Sequence, residues 1–115
     1  MGLNATALNA MLTQLGTLIG YVSLHTDAVG GGDASEVTGG TPAYARKAIT
    51  WNAAAAGNLD SSNTPAFDVP ATTIRRVGFY SAATAGTYYG DAEITDETYG
   101  GQGTYTLTDA DISLT

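Results

Sequence analysis

Apolar and polar positions change their period near Gly20. Before it, Leu8, Met11, Leu12 and Leu15 recur three or four residues apart and form one stripe on a helix. Asn4 suits an N-cap, Ala5 to Leu15 is free of Pro and Gly, and Gly16 is placed to end the helix in a left-handed conformation. The pattern predicts a helix over 4–16. A helix of about eleven residues is marginal alone, so it must dock, and the expectation is a lid on the chain's own core.

After Gly20 the period is two. Val22 and Leu24 point one way, while Tyr21, Ser23 and His25 point the other, which places His25 on a solvent-facing surface. Later runs repeat the pattern: Ile49 with Trp51 against Tyr44, Arg46 and Thr50; Phe67 with Val69; Val77 with Phe79; Tyr105 with Leu107; Ile112 with Leu114. In 87–95, Tyr88, Ala92 and Ile94 are expected inward, and Thr87, Tyr89, Asp91 and Glu93 outward. The runs are short, rich in Thr and aromatics, and separated by Gly, Asn, Asp and Pro, which is the pattern of an all-β fold.

The segment Asp27 to Gly40, with Gly30, Gly31 and Gly32 in a row, reads as a mobile surface loop. Ala82 to Gly86 has the length of a hairpin loop. The stretch 53–65 fits either a strand or an irregular loop. The expected fold is mainly β: an antiparallel sandwich or jelly-roll-like barrel over 18–115 with one short N-terminal helix, in a single domain of 115 residues.

Composition narrows the function. Charged residues are 13% of the chain, about half of ordinary usage. The exterior must then be Thr, Ser, Gly, Asn and Ala, which desolvate cheaply against a partner. Net charge is −7, and Arg46, Lys47, Arg75 and Arg76 are the cations. That argues against nucleic acid and against anionic membranes. With no cysteine, disulfides and thiolate metal sites are excluded. No apolar run approaches the ~20 residues of a membrane span, and the start lacks a signal peptide's basic residues. The myristoylation-like Met1-Gly2-Leu3-Asn4-Ala5-Thr6 and the acceptor pattern Asn4-Ala5-Thr6 read as chance matches.

Candidate chemistry is thin. His25 is the single histidine, and its adjacency to Thr26 and Asp27 gives no triad, because neighbours in a strand face opposite ways. Asp91 and Glu93 share a strand face roughly 6–7 Å apart, yet that face is expected to be solvated, so neither carboxyl should be raised by burial. Asp96-Glu97 and Asp109-Ala110-Asp111 are candidates for calcium, but the run from Asp109 has Leu114 where a calcium loop needs Gly and no closing Glu, so turns in which Asp bonds its own backbone are expected instead. Gly100-Gly101-Gln102-Gly103 lacks the Lys and following helix of a phosphate loop. Arg75-Arg76 places one charge on each sheet face, which favours an ion pair with an acidic neighbour over a phosphate site. No catalytic residue, metal or cofactor is expected. Tyr suits contact surfaces, and the residues expected at an interface are Leu8, Met11, Tyr44, Arg46, Tyr80, Tyr89 and Tyr99.

The runs Glu36-Val37-Thr38-Gly39-Gly40, Ala43-Tyr44-Ala45-Arg46-Lys47-Ala48-Ile49-Thr50-Trp51 and Val77-Gly78-Phe79-Tyr80-Ser81-Ala82 resemble a family of small virion proteins of actinobacterial phages, variously head-decoration, tail or tail-fibre components. The resemblance covers nearly the whole chain and brings no catalytic residue. It implies a virion structural protein. The leading expectation is a decoration (cement) protein on the capsid surface, bound to the major capsid protein lattice as a homo-oligomer, with a trimer as one arrangement. The alternatives are a tail or tail-fibre component bound to tail proteins, and a carbohydrate-binding adhesin using Trp51 or the tyrosines.

Overall fold

The computed structural model describes residues 3–27, 32–108 and 110–113, Ser113 by its backbone alone. One helix, α1 (Ala5–Leu18), leads into β1 (Tyr21–His25), β2 (Lys47–Ala48), β3 (Asn58–Asp60), β4 (Ala66–Val69), β5 (Thr72–Tyr80), β6 (Tyr88–Tyr99), β7 (Gly103–Thr106) and β8 (Asp111–Ser113). All pairings are antiparallel. The strands make a four-stranded sheet in the order β2-β1-β5-β6 and two ribbons, β3-β8 and β4-β7. Among the described residues no barrel closes, because β6 pairs only with β5. The mainly β fold with an N-terminal helix is as the periodicity predicts, in its open form.

α1 begins where its cap predicts: Asn4 Oδ1 accepts from Ala7 N–H at 2.9 Å. It does not stop at Gly16. The helix continues to Leu18, and Ile19 caps it with extended backbone. Gly16 serves packing instead: a Cβ there would lie 3.4 Å from both Leu59 and Trp51. Trp51 Nε1–H then donates to the Ile19 carbonyl at 3.0 Å, which satisfies an acceptor at the helix end.

One face of the main sheet is apolar. Val22 and Leu24 of β1 and Ile74, Val77 and Phe79 of β5 pack in one cluster with Phe67 and Val69 of β4, Leu107, Ile19 and Ile49. Phe67 lies with its ring centroid 6.4 Å from those of Tyr44 and Tyr105, and Trp51 lies 6.3 Å from Phe79. This is sandwich packing, with β4-β7 and α1 lying over the sheet. The segment expected as a strand over 44–51 pairs as a strand at Lys47–Ala48 and by a single antiparallel bridge from Trp51 to Ser61, and 53–65 turns at Gly57 into the short β3.

The other face is polar and, unexpectedly, also buried. Register places Ser23 opposite Gly78 and His25 opposite Arg76. Asp91 lies opposite Gly78, and a bulge between Phe79 and Tyr80 then puts Tyr88 opposite Tyr80. Tyr88 therefore joins the polar face rather than the apolar face predicted for it, while Tyr89 turns to the apolar side. Gly78 is required by closeness: a Cβ would meet Ser23 Oγ at 2.5 Å and His25 Nε2 at 2.7 Å.

The two glycines predict opposite outcomes in urea or thermal unfolding. Gly78→Ala should lose about 1–3 kcal/mol, because it drives a methyl into a buried hydrogen bond. Gly16→Ala should stay within about 1 kcal/mol of the parent or gain stability, since the contact is ordinary and Ala is the better helix former.

Candidate functional site

The densest polar chemistry lies on the buried face of the main sheet, beneath the segment that follows β1. Arg76 is 0% exposed and projects from β5 into this layer. Its Nε–H donates to Asp27 Oδ1 at 2.8 Å, and its Nη1 donates to the Gly32 carbonyl at 2.6 Å and Asp91 Oδ2 at 3.0 Å. Its Nη2 donates to the Ala34 carbonyl at 2.9 Å and pairs with Asp27 at 2.7 Å. Burial works against the charge, but the hydrogen bond and charge of Asp27 outweigh it, so the Arg76 pKa is raised. The same hydrogen bond holds the Asp27 carboxyl below the usual range. The buried ion pair expected for one of the two neighbouring arginines is thus present, and Asp91 is its partner rather than a solvated acid. Arg75, at the register irregularity between Ile74 and Arg76, is exposed; it donates to the Thr26 carbonyl and reaches Asp96 at 3.5 Å.

His25 is also 0% exposed, against the expectation of a solvent-facing histidine. The segment over 32–46 folds back on the sheet and covers the face expected to be wet. The His25 Nδ1 lies 2.8 Å from the Ala34 carbonyl, which can only accept, so Nδ1 carries the proton. Nε2 then accepts from Ser23 Oγ–H at 2.6 Å. Burial, assisted by the charge of Arg76, lowers the His25 pKa below its ordinary 6.5 against the pull of the Ala34 carbonyl. Ser and His two apart on one strand face form a hydrogen-bonded pair that a search of sequence neighbours passes over. With both side chains 0% exposed, no substrate atom reaches the Ser23 oxygen.

A second network fixes the sheet edge. Val37 N–H bonds the Leu24 carbonyl, and β2 pairs with the start of β1. Between those contacts the Leu24 N–H donates to the Tyr44 hydroxyl at 3.0 Å, so a side chain completes the ladder. Tyr44 donates onward to Glu36 Oε2 at 2.8 Å, and Arg46 binds both Glu36 oxygens at 2.9 and 3.0 Å. Arg46 also donates to the Ala82 and Ala85 carbonyls of the β5–β6 turn, and its guanidinium lies 3.5 Å above the Tyr80 ring. Although burial opposes its charge, Glu36 is held below the usual carboxylate range by the Arg46 and Tyr44 hydrogen bonds. Burial pushes the Tyr44 hydroxyl up. Tyr88 is pushed up to about 12 by burial and by Asp91.

Three of the residues expected at an interface, Tyr44, Arg46 and Tyr80, therefore make their contacts inside the chain, with Tyr80 only 3% exposed. Leu8 and Tyr99 are half-buried. Met11 is 49% and Tyr89 38% exposed, and they are joined by Leu3 and Leu18, which the periodicity did not single out. Leu18 falls beyond the predicted helix end, which hid it. Trp51 is half-buried, its ring tilted against Phe79. Among the described residues no three His, Cys, Asp or Glu side chains gather to hold a metal. Asp109 and the Gly30-Gly31 pair lie outside the described residues.

Residues 3–115 match the family described as Podophage GP4 fiber I protein gp80. No curated protein matches the chain. The family match favours the fibre alternative over head decoration, and it carries no restriction to phages of actinobacteria.

The pH dependence of stability follows from these groups. Above about pH 6.5 His25 is neutral whether folded or unfolded. Below it, the unfolded chain takes a proton that the folded site resists, so stability falls by up to about 1.4 kcal/mol per pH unit. The contributions of Glu36 and Asp27 are complete above their ordinary 4.5 and 3.8 and are lost as pH falls through their lower folded values. Urea titrations from pH 8 to 3 should decline in these two stages. In His25→Asn the first stage should vanish, whatever the variant's stability at pH 8. A parent curve flat from pH 6.5 to 5 would contradict the neutral buried imidazole.

Proposed function

This chain belongs to the Podophage GP4 fiber I protein gp80 family, and on that premise we propose that it is a non-enzymatic tail-fibre component of a podophage virion. Membership makes it a phage fibre protein and a structural part of the particle. Its place on the tail, its partners there and its organisation as a single domain over 1–115 are our reading. The observation that carries this reading is the family match over residues 3–115.

Physical features support it. The histidine, the serine beside it and the arginine, which would be the candidates for chemistry, are spent on holding the segment over 32–46 against the sheet, with no buried side-chain polar atom left unpartnered among the described residues. Such a layer gives rigidity, and rigidity suits a part that transmits load in a repeated assembly. Among the exposed groups that could meet tail proteins are the large apolar side chains Met11 and Tyr89. Docking on the major capsid protein lattice has less support, because the matched family is a fibre family.

Cryo-electron microscopy of intact particles, with an antibody fragment against this chain, tests the assignment. Label should lie on fibres at the tail, at a copy number set by the tail's symmetry. Label spread over the capsid lattice would contradict it.

A further inference from the structure

We infer that the outward face of α1 is a self-association surface, on which a second copy of this chain packs its own α1. The inference deepens the fibre reading only in assuming that copies meet. It does not depend on where in the particle they sit.

A lid helix ordinarily carries charge on its solvent side. α1 carries none, and the sequence holds no Asp, Glu, Lys or Arg before Asp27. While Leu12 is fully buried and Leu15 half-buried, Leu3, Met11 and Leu18 are 48%, 49% and 40% exposed. At about 100° per residue, Met11 and Leu18 lie within about 20° of each other on the helix, with Ala7 and Gln14 beside them. Positions 4, 7, 11, 14 and 18 alternate steps of three and four, the spacing with which one helix seats against another. Apolar side chains thus continue around α1 from the buried side onto the open side. The groove beside Leu15 and Ile19, by contrast, is lined by Asp91 and Asp111 as well as by Phe79 and Tyr89, so the uncharged surface is the Met11–Leu18 stripe itself.

Charge identifies the occupant. The chain bears −7, and every carboxylate lies at Asp27 or later. Two copies therefore repel one another over most of their surfaces, and the free edge strand β6 carries Asp91, Glu93, Asp96 and Glu97. A basic partner would settle on those acids. A partner as acidic as this chain can come close only where charge is absent, and the apolar stripe on α1 is such a place.

Because the chain has no cysteine, single cysteines report the contact. Met11→Cys, Leu18→Cys and, as control, Thr95→Cys on β6 should each be mildly oxidised as the full chain, with circular dichroism recording retention of fold. The two helix variants should form disulfide-linked dimers at least about tenfold faster than the control. Sedimentation should show a reversible oligomer of the parent chain that Met11→Glu/Leu18→Glu dissociates without loss of helix or sheet. A monomeric parent, equal cross-linking at Thr95, or an oligomer that survives the double variant would each overturn the inference. Localisation of the chain elsewhere in the particle would leave these results unchanged and would bear only on the fibre reading.

Discussion

The fold depends on a fully buried guanidinium whose donors are all taken. Arg76 sits at the centre of the polar sheet face and joins five groups: two carboxylates, two backbone carbonyls and, at 3.4 Å, a tyrosine hydroxyl. A buried cation is tolerated only when paired and hydrogen-bonded. Here the partners come from both ends of the arrangement: Asp91 from β6, and Asp27, Gly32 and Ala34 from the segment after β1. Satisfying the charge and closing that segment over the sheet are therefore one event. Once closed, it brings the Ala34 carbonyl to His25 and Glu36 to Arg46 and Tyr44, and it leaves Gly78 as the residue that fits beneath the Ser23–His25 bond.

This construction bears on function. Four of the most reactive-looking side chains, His25, Ser23, Arg76 and Asp91, are committed to one another, and the apolar face of the same sheet is sealed by Phe67, Val69 and α1. What remains for contact is the outside: an acidic free edge on β6 and an uncharged helix. A fibre component needs a rigid body and surfaces that discriminate between partners by charge, and the segregation of charge along this chain supplies both. The N-terminal part before Asp27 is neutral, while the β6 edge is acidic.

Much of the fold was legible in the sequence because its signals are local. The helix of Leu8 to Leu15, the alternation in β1, β5 and β7, and the hairpin at Ala82 to Gly86 follow from period and turn chemistry. The misreadings have a common origin in long-range packing. Period two identifies two faces of β1 but cannot say that both are covered, so His25 read as exposed. A bulge at Tyr89 shifted Tyr88 to the other face, and no residue pattern marks that bulge. Gly16 carried a helix-stop signal, but Leu59 and Trp51 pack against it and the helix runs on. Tyr44, Arg46 and Tyr80 read in the sequence as contact residues, and the contacts they make here are with partners distant in sequence inside the chain. The expectation of head decoration over fibre rests on small size, the lack of candidate chemistry and resemblance, none of which encodes a location.

The guanidinium's role is tested most directly by amide hydrogen exchange on Arg76→Lys, which keeps the charge and loses the planar fork. The account predicts that amides over 34–46 lose most of their protection, while those of β4 and β7 fall only by the ~3 kcal/mol that global stability loses. Protection over 34–46 equal to the parent's would show that the segment is held by something other than Arg76, and the central claim would fail.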